Sequence, residues 1–369
     1  MYKKIIFLLT SLIICIFSLL LFFGEKQEFS QNENRYLTTK IEFTFDKLLD
    51  GTFIKNVEEY LTDQFPFRNT FLSVHTSIER LLGKKDINDV YISKKDYLLE
   101  KYDKPINNDK IINTINKFNK LNNINFNIML VPTSIEINKD LLPLNAITNS
   151  QRDEMKYIYN KIEMNYIDIY DEMKKRNSDY QMFYRLDHHW TSYAAYYAYV
   201  MFTKQNNLEF QKLYKYDILE VTDDFNGTLY SKSNYYKFPP DKIHKFKLGE
   251  ENLIVDYVVS NRKTTSLYED KYLSTKDKYS YFLDNNHPLI KITNKDLNNN
   301  NEIIVIKDSF ANTFIPFLTK HYEKIHVIDP RFYKTSISDY IKENKNIKDG
   351  LILYNMQTID NDTGILSIK

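Results

Sequence analysis

Three short and largely apolar runs, Ile303 to Ile306, Ile325 to Ile328 (interrupted by His326) and Leu351 to Tyr354, constrain the fold more than any other feature of this sequence. A run of four apolar residues without polar alternation is what a strand needs when both faces of its sheet are covered. The runs begin 22 and 26 positions apart, which leaves room for one crossover helix in each interval, and strands joined by helical crossovers pair in parallel. The same rhythm starts earlier. Helical spacing over Asp109 to Leu121 and Ser150 to Met164 precedes candidate strands at Phe126 to Val131 and Tyr166 to Ile169, and Ser192 to Phe202 reads as a further helix. The expectation is an α/β fold, a parallel sheet with helices on both faces, over residues 86–369. Residues 206–300 break the rhythm: they are rich in Lys, Asp, Asn and Tyr, with alternating runs such as Leu253 to Val258, and read as a β-rich insertion.

The first residues carry a different signal. Ile5 to Phe23 is an apolar run of 19 residues, about 28 Å as a helix at ~1.5 Å per residue, close to one hydrocarbon core. Lys3 and Lys4 precede it and no basic cluster directly follows, so residues 1–4 are expected to form a cytoplasmic tip with everything from Glu25 onward outside. A cleaved signal peptide is the rival reading, but it wants a shorter apolar region and a small-residue cleavage site. Cys15 is the only cysteine and lies inside the run; large Ile14 before it argues against a lipid-attachment box, and no intramolecular disulfide can form. Residues 24–85 read as a stalk followed by helices, with Pro66 ending one helix before the next begins. Val90 to Ile92 and Tyr97 to Leu99 read as a hairpin.

Charge adds an exclusion. With 50 basic and 49 acidic side chains the net charge is +1, and the basic residues are scattered, which gives no footing for nucleic acid. Aromatics reach 15%, tyrosine above all; this composition accompanies heavy use of Lys, Asn and Ile and says little about chemistry.

In an open parallel sheet, reactive groups gather beyond the carboxyl ends of strands. Lys307-Asp308-Ser309-Phe310 follows the run 303–306 directly. A serine at that turn is exposed at the positive end of a helix, which suits a nucleophile, although Asp308 or Ser309 could simply cap the helix. Asp187-His188-His189-Trp190 supplies from one loop a base and a carboxylate that fixes its tautomer. Surface histidines, or a metal site using Asp187 and His188 or His189 with His321 or His326, are the alternatives; no spaced ligand motif supports the metal.

Asp187-His188-His189-Trp190 resembles the signature of the bacterial DHHW family. Glu33-Asn34-Arg35, Asp63-Gln64-Phe65-Pro66-Phe67-Arg68, Phe225-Asn226-Gly227-Thr228, His287-Pro288-Leu289 and Lys307-Asp308-Ser309-Phe310 match as well, so the resemblance spans nearly all of the chain after the apolar run. The family is similar to SGNH-like alginate O-acetylation enzymes, whose Asp-x-His motif precedes a Gly-Asp-Ser-Phe motif. The resemblance implies Ser309 as nucleophile, His189 as base and Asp187 as orienter; Lys307 departs from the glycine. It further implies a circularly permuted SGNH order, with Asp and His ahead of Ser. In that frame Arg331 becomes an oxyanion or substrate contact, Asn355 takes the asparagine role, and Gln357 joins the same contact set.

The function that the resemblance implies is that of a membrane-anchored extracytoplasmic O-acyltransferase, requiring no cofactor or metal. It would move an acyl group, acetyl first among candidates, from an acyl-donating membrane protein to a cell-surface polysaccharide. A carbohydrate esterase of the same fold and a non-catalytic glycan-binding or assembly protein are the other readings.

Overall fold

The computed structural model describes residues 2–30, 32–33 and 35–368, so Asn34 of the Glu33-Asn34-Arg35 motif lies outside the described residues. The chain divides into two units: residues 1–88 with 230–238, and residues 89–229 with 239–369.

The larger unit is built on an eight-stranded sheet. Its strands are β1 (Asn125–Val131), β2 (Asn165–Tyr166), β3 (Leu253–Tyr257), β4 (Arg262–Thr264), β5 (Leu289–Asn294), β6 (Glu302–Lys307), β7 (Lys324–Ile328) and β8 (Ile347–Asn355), in the spatial order β4-β3-β5-β7-β6-β8-β1-β2. The three apolar runs fall inside β6, β7 and β8, and β7-β6-β8-β1-β2 are mutually parallel. Successive side chains of a strand leave on opposite faces, and both faces are covered. Met129, Val131, Val305, Val327 and Leu353 pack with the helices Ser192–Gln205 and Ala311–Leu318. Ile128, Leu130, Ile304, Ile306 and Ile352 pack with Asn108–Leu121, Gln151–Tyr159 and Ile337–Glu343.

The structure corrects the expected parallel sheet in one respect: the sheet is mixed. β5 runs antiparallel to β7, and β3 and β4 continue antiparallel from it. Residues 206–300 are therefore only partly an excursion, because three of their strands extend the main sheet. The alternation seen at 253–258 is the half-covered pattern of an antiparallel outer strand, with Leu253, Val255 and Tyr257 buried and Ile254 and Asp256 half-buried. The excursion proper is a two-stranded ribbon, Asp217–Phe225 with Asp241–Lys247. Two boundaries also shift. The helix expected to reach Met164 stops at Tyr159, and the strand expected over 166–169 pairs only at Asn165–Tyr166, because Ile169 already caps the helix Tyr170–Arg176. The hairpin Val90–Ile92 with Leu98–Glu100 forms as expected.

The smaller unit contains the helix Tyr2–Phe23, the one helix among the described residues long and apolar enough to cross a membrane. The helices Thr52–Asp63 and Arg68–Leu81 of the same unit flank Pro66, as its fixed backbone and missing N–H require.

Candidate active site

β6 ends at Lys307, and Asp308-Ser309-Phe310 turns the chain into the helix Ala311–Leu318. Asp308 builds this turn. Its Oδ1 accepts from the Phe310 N–H at 2.9 Å, and its Oδ2 accepts from the backbone N–H and side-chain amide of Asn355, each at 2.7 Å. Because Asn355 ends the neighbouring β8, the buried Asp308 carboxylate locks two strand ends together. Burial pushes that carboxyl up to about 6 against the pull of its donors. Ser309 is thus released from capping. Its Oγ meets the Nε2 of His189 at 2.8 Å, and its backbone N–H donates to no group among the described residues, leaving a donor beside that hydroxyl.

Lysine at 307 does not disturb the turn. It is the last paired residue of β6, opposite Leu353, and has no positive φ that would call for glycine. Its side chain is fully buried, with Nζ 2.7 Å from Asn286 Oδ1, 2.8 Å from Asn312 Oδ1 and 3.6 Å from Asp329 Oδ2. Burial brings the ammonium down to about 8, with Asp329 opposing.

The second half of the site is the loop between Phe183 and Trp190, which pair as an isolated antiparallel bridge. Buried Asp241 organises it: Oδ2 accepts from the N–H groups of Arg185 and Leu186, both at 2.8 Å, and Oδ1 accepts from Gln181 and the Arg185 guanidinium. Trp190 then ties the loop to the serine turn, its indole N–H reaching the Phe310 carbonyl at 2.8 Å and Thr313 Oγ1 at 2.7 Å.

Asp187 sits at the tip with every lone-pair direction engaged. Oδ1 accepts from the His189 N–H at 2.9 Å and from its Nδ1 at 2.6 Å; Oδ2 accepts from the Thr228 N–H at 2.8 Å and its hydroxyl at 3.0 Å. Gly227 permits this approach, since a Cβ there would lie 2.3 Å from Asp187 Oδ2. Burial alone would raise the Asp187 carboxyl, but the two adjacent imidazoles and the donated hydrogen bonds prevail and hold it far below the usual carboxylate range. Nδ1 of His189 therefore carries the proton, and Nε2 presents a lone pair to Ser309. Burial, reinforced by neighbouring His188 and opposed by Asp187, brings His189 down to about 4, so the ring is a neutral base at pH 7. The Tyr279 ring stacks on it with centroids 3.6 Å apart, and the Tyr279 hydroxyl donates to the Ser309 carbonyl at 3.2 Å.

His188 takes a different position. Its Nδ1 is 2.6 Å from Thr228 Oγ1. That hydroxyl already donates its proton to Asp187, so His188 must be the donor, and among the described residues its ring forms no hydrogen bond with Ser309 Oγ.

The structure brings Asp187, His189 and Ser309 together, with the Arg331 charge near enough to lower His189 and Asn355 bonded to Asp308 next to the serine. Asn355 has both its amide hydrogens engaged, by Asp308 and by Thr358 Oγ1, while its Oδ1 caps the helix Met356–Asn361. Gln357 turns to the Lys101 carbonyl at 3.3 Å. Arg331 forks onto Asp329 at 2.9 and 2.6 Å; burial works against its charge, but that carboxylate raises the guanidinium further. A cavity of about 480 Å³ opens beside it, walled in part by Pro330, Tyr333 and Gly364.

The metal alternative fares no better. Ligand atoms of Asp187, His188 and His189 lie within 4.8 Å of one another, but both carboxylate oxygens are already doubly hydrogen-bonded. His321 pairs with Tyr199, and His326 with Glu302 and Tyr340, rather than with this group. Thr228, Gly227, Tyr279 and Asp241 received no role from sequence reasoning. The Phe225-Asn226-Gly227-Thr228 motif was the available signal for the first two; nothing in the sequence marked Asp241.

Comparison with known proteins bears on this arrangement. Residues 89–328 match the family described as DHHW protein. A search of curated proteins finds no match. Among solved structures, a DHHW family protein from Eubacterium siraeum is 22% identical, with 76% of this chain and 96% of that one covered and a TM-score of 0.68. Bacillus cereus PatB1 with a sulfonyl adduct is 20% identical, covering 76% of this chain and 98% of that one with a TM-score of 0.65. The O-acetyltransferase domain of Pseudomonas putida AlgJ is 11% identical over 74% of this chain and 92% of that one, at a TM-score of 0.46. For the first two the likeness is one of fold.

Proposed function

The chain belongs to the DHHW family, and from that premise we propose that it is a serine-dependent O-acyltransferase working through an acyl-Ser309 intermediate. The observation that carries the proposal is the unbroken line from Asp187 Oδ1 through His189 to Ser309 Oγ, at 2.6 and 2.8 Å.

That line sets the order of proton transfers. His189 Nε2 takes the hydroxyl proton as Ser309 Oγ adds to the acyl carbonyl, and Asp187 stabilises the imidazolium. The Ser309 N–H faces the developing oxyanion. The bond from the acyl carbon to the donor oxygen breaks, and His189 returns the proton to that leaving group. In the second half an acceptor hydroxyl gives its proton to His189 and attacks the acyl-serine; the ester passes to the acceptor and Ser309 regains its proton. Acetyl transfer to a cell-surface polysaccharide, with the domain outside and the helix Tyr2–Phe23 as anchor, is the specific form we favour. An acyl-donating membrane protein would supply the first step. PatB1 forms a sulfonyl adduct, the behaviour expected of an activated hydroxyl, which supports assigning the same reactivity here. With water as acceptor the same site is an esterase.

A serine-reactive phosphonate or sulfonyl fluoride should label the wild type and leave Ser309→Ala unlabelled; equal labelling removes the nucleophile. Incubation with a chromogenic acetyl ester, with and without oligosaccharide acceptors, then separates transfer from hydrolysis. Absence of both reactions, with folding intact, returns the chain to the binding-protein reading.

A further inference from the structure

The Asp63-Gln64-Phe65-Pro66-Phe67-Arg68 motif plays no part in the catalytic site, and the smaller unit shows what it builds. Its polar members all turn inward. Asp63 accepts from the Arg35 guanidinium at 2.5 and 3.1 Å and from the Thr38 N–H at 2.9 Å. Arg68 forks onto Glu33 at 2.5 and 2.9 Å. Gln64 exchanges hydrogen bonds with the Gln27 backbone and donates to the Thr38 carbonyl. The apolar members turn outward instead. Phe67 holds a left-handed backbone, φ 59°, unusual for a bulky residue, and stands 66% exposed. Two forked ion pairs thus clamp a turn whose product is a pair of protruding phenylalanines.

Those rings do not face open space at random. Phe65, Phe67 and Phe71 surround Phe17 of the apolar helix, with centroids 5.4, 6.4 and 6.1 Å away. Phe17 lies six positions before the end of that helix at Phe23, about 9 Å inward at ~1.5 Å per residue, out of a half-core of roughly 15 Å. Phe71, Val74, Ile78 and Leu81 continue the exposed apolar surface along one face of the helix Arg68–Leu81. The charges flanking the turn are neutralised in pairs, the form in which charge is tolerated near lipid.

We propose that the Phe65-Pro66-Phe67 turn and the adjoining face of Arg68–Leu81 dip into the leaflet that the helix Tyr2–Phe23 leaves, so that the partner of this surface is the lipid bilayer itself. The proposal rests on the reading of Tyr2–Phe23 as an anchor. A contact of this kind fixes the tilt and rotation of the smaller unit at the membrane, which a single helix would leave free.

The test places tryptophan at single positions of the full chain reconstituted in phosphatidylcholine vesicles, with or without bromine atoms at mid-acyl depth. Wild type is the baseline, because its one tryptophan, Trp190, is buried in the larger unit. Phe22→Trp, Phe67→Trp and Phe71→Trp should each gain emission that the brominated lipid quenches by at least about half. Quenching of Phe22→Trp without quenching of Phe67→Trp and Phe71→Trp overturns the proposal while sparing the anchor. Failure of all three overturns both. Circular dichroism of each variant guards against misfolding, and either of the two test positions, correctly folded and unquenched beside a quenched Phe22→Trp, is decisive.

Discussion

Asp187 and Asp308 are two buried carboxylates of one site, and they are driven in opposite directions. Asp187 accepts four hydrogen bonds, two of them from a histidine that becomes cationic during the proposed reaction, and it is held far below the ordinary range. Asp308 accepts from two backbone N–H groups and one amide, and burial pushes it up to about 6. Number of donors alone does not explain the contrast. The first acid faces the group whose charge changes; the second faces fixed dipoles that join two strand ends. In the proposed mechanism one carboxylate serves the reaction and the other the architecture, although both stand within two residues of a proposed catalytic side chain.

Substitution should separate these roles most sharply at Asp187. Asp187→Asn leaves the shape but lets the His189 ring take the wrong tautomer, and the rate of Ser309 acylation should fall by about 10³–10⁴ with little change in thermal stability. His189→Ala should match it. Asp308→Ala should do the reverse: three buried donors lose their acceptor, and chemical denaturation should register a loss of about 2–4 kcal/mol. Should Asp308→Ala instead keep its stability and lose its rate, this division of labour between the two acids is wrong.

The pH profile tests the same contrast. His189 must be neutral to act, so activity is present above its titration and lost as pH falls through it. With burial holding the ring near 4, acylation should stay nearly level from pH 7 to 5 and fall about tenfold per unit below 4. A midpoint near the ordinary histidine value of ~6.5 would show that Asp187 fully offsets burial. The smallest effect is expected at His188. It donates to Thr228 rather than to Ser309, so His188→Ala should keep at least about a tenth of turnover at matched stability; a dead His188→Ala beside an active His189→Ala would shift the base by one residue.

Legibility in the sequence followed the range of the interaction. β6 and β8 could be read because strands covered on both faces need unbroken apolar runs, and β7 because His326 is the single polar break in its run. Leu253–Tyr257 could not be placed, since its alternation fits an outer strand of the main sheet as well as a separate ribbon. Asp187 and His189 are two positions apart, so one loop geometry carries both, and the strand-end rule located Ser309. That rule says where a residue emerges, not which way its side chain turns, so it could not show that the Asn355 amide donates to Asp308. Thr228 reaches Asp187 across 41 positions of chain and Asp241 reaches Leu186 across 55, contacts that no local pattern encodes.

Trp190 lends the molecule a built-in optical gauge. It is the only tryptophan in the chain, it is shut away from solvent, and its indole N–H is held by Phe310 and Thr313, close behind the nucleophile in the chain. If a covalent group arriving on Ser309 shifts the Phe310 carbonyl, the indole should answer with a change in emission maximum or lifetime. Loading and unloading of the serine could then be followed in real time, on the unmodified chain, with any donor or acceptor, including ones that carry no chromophore.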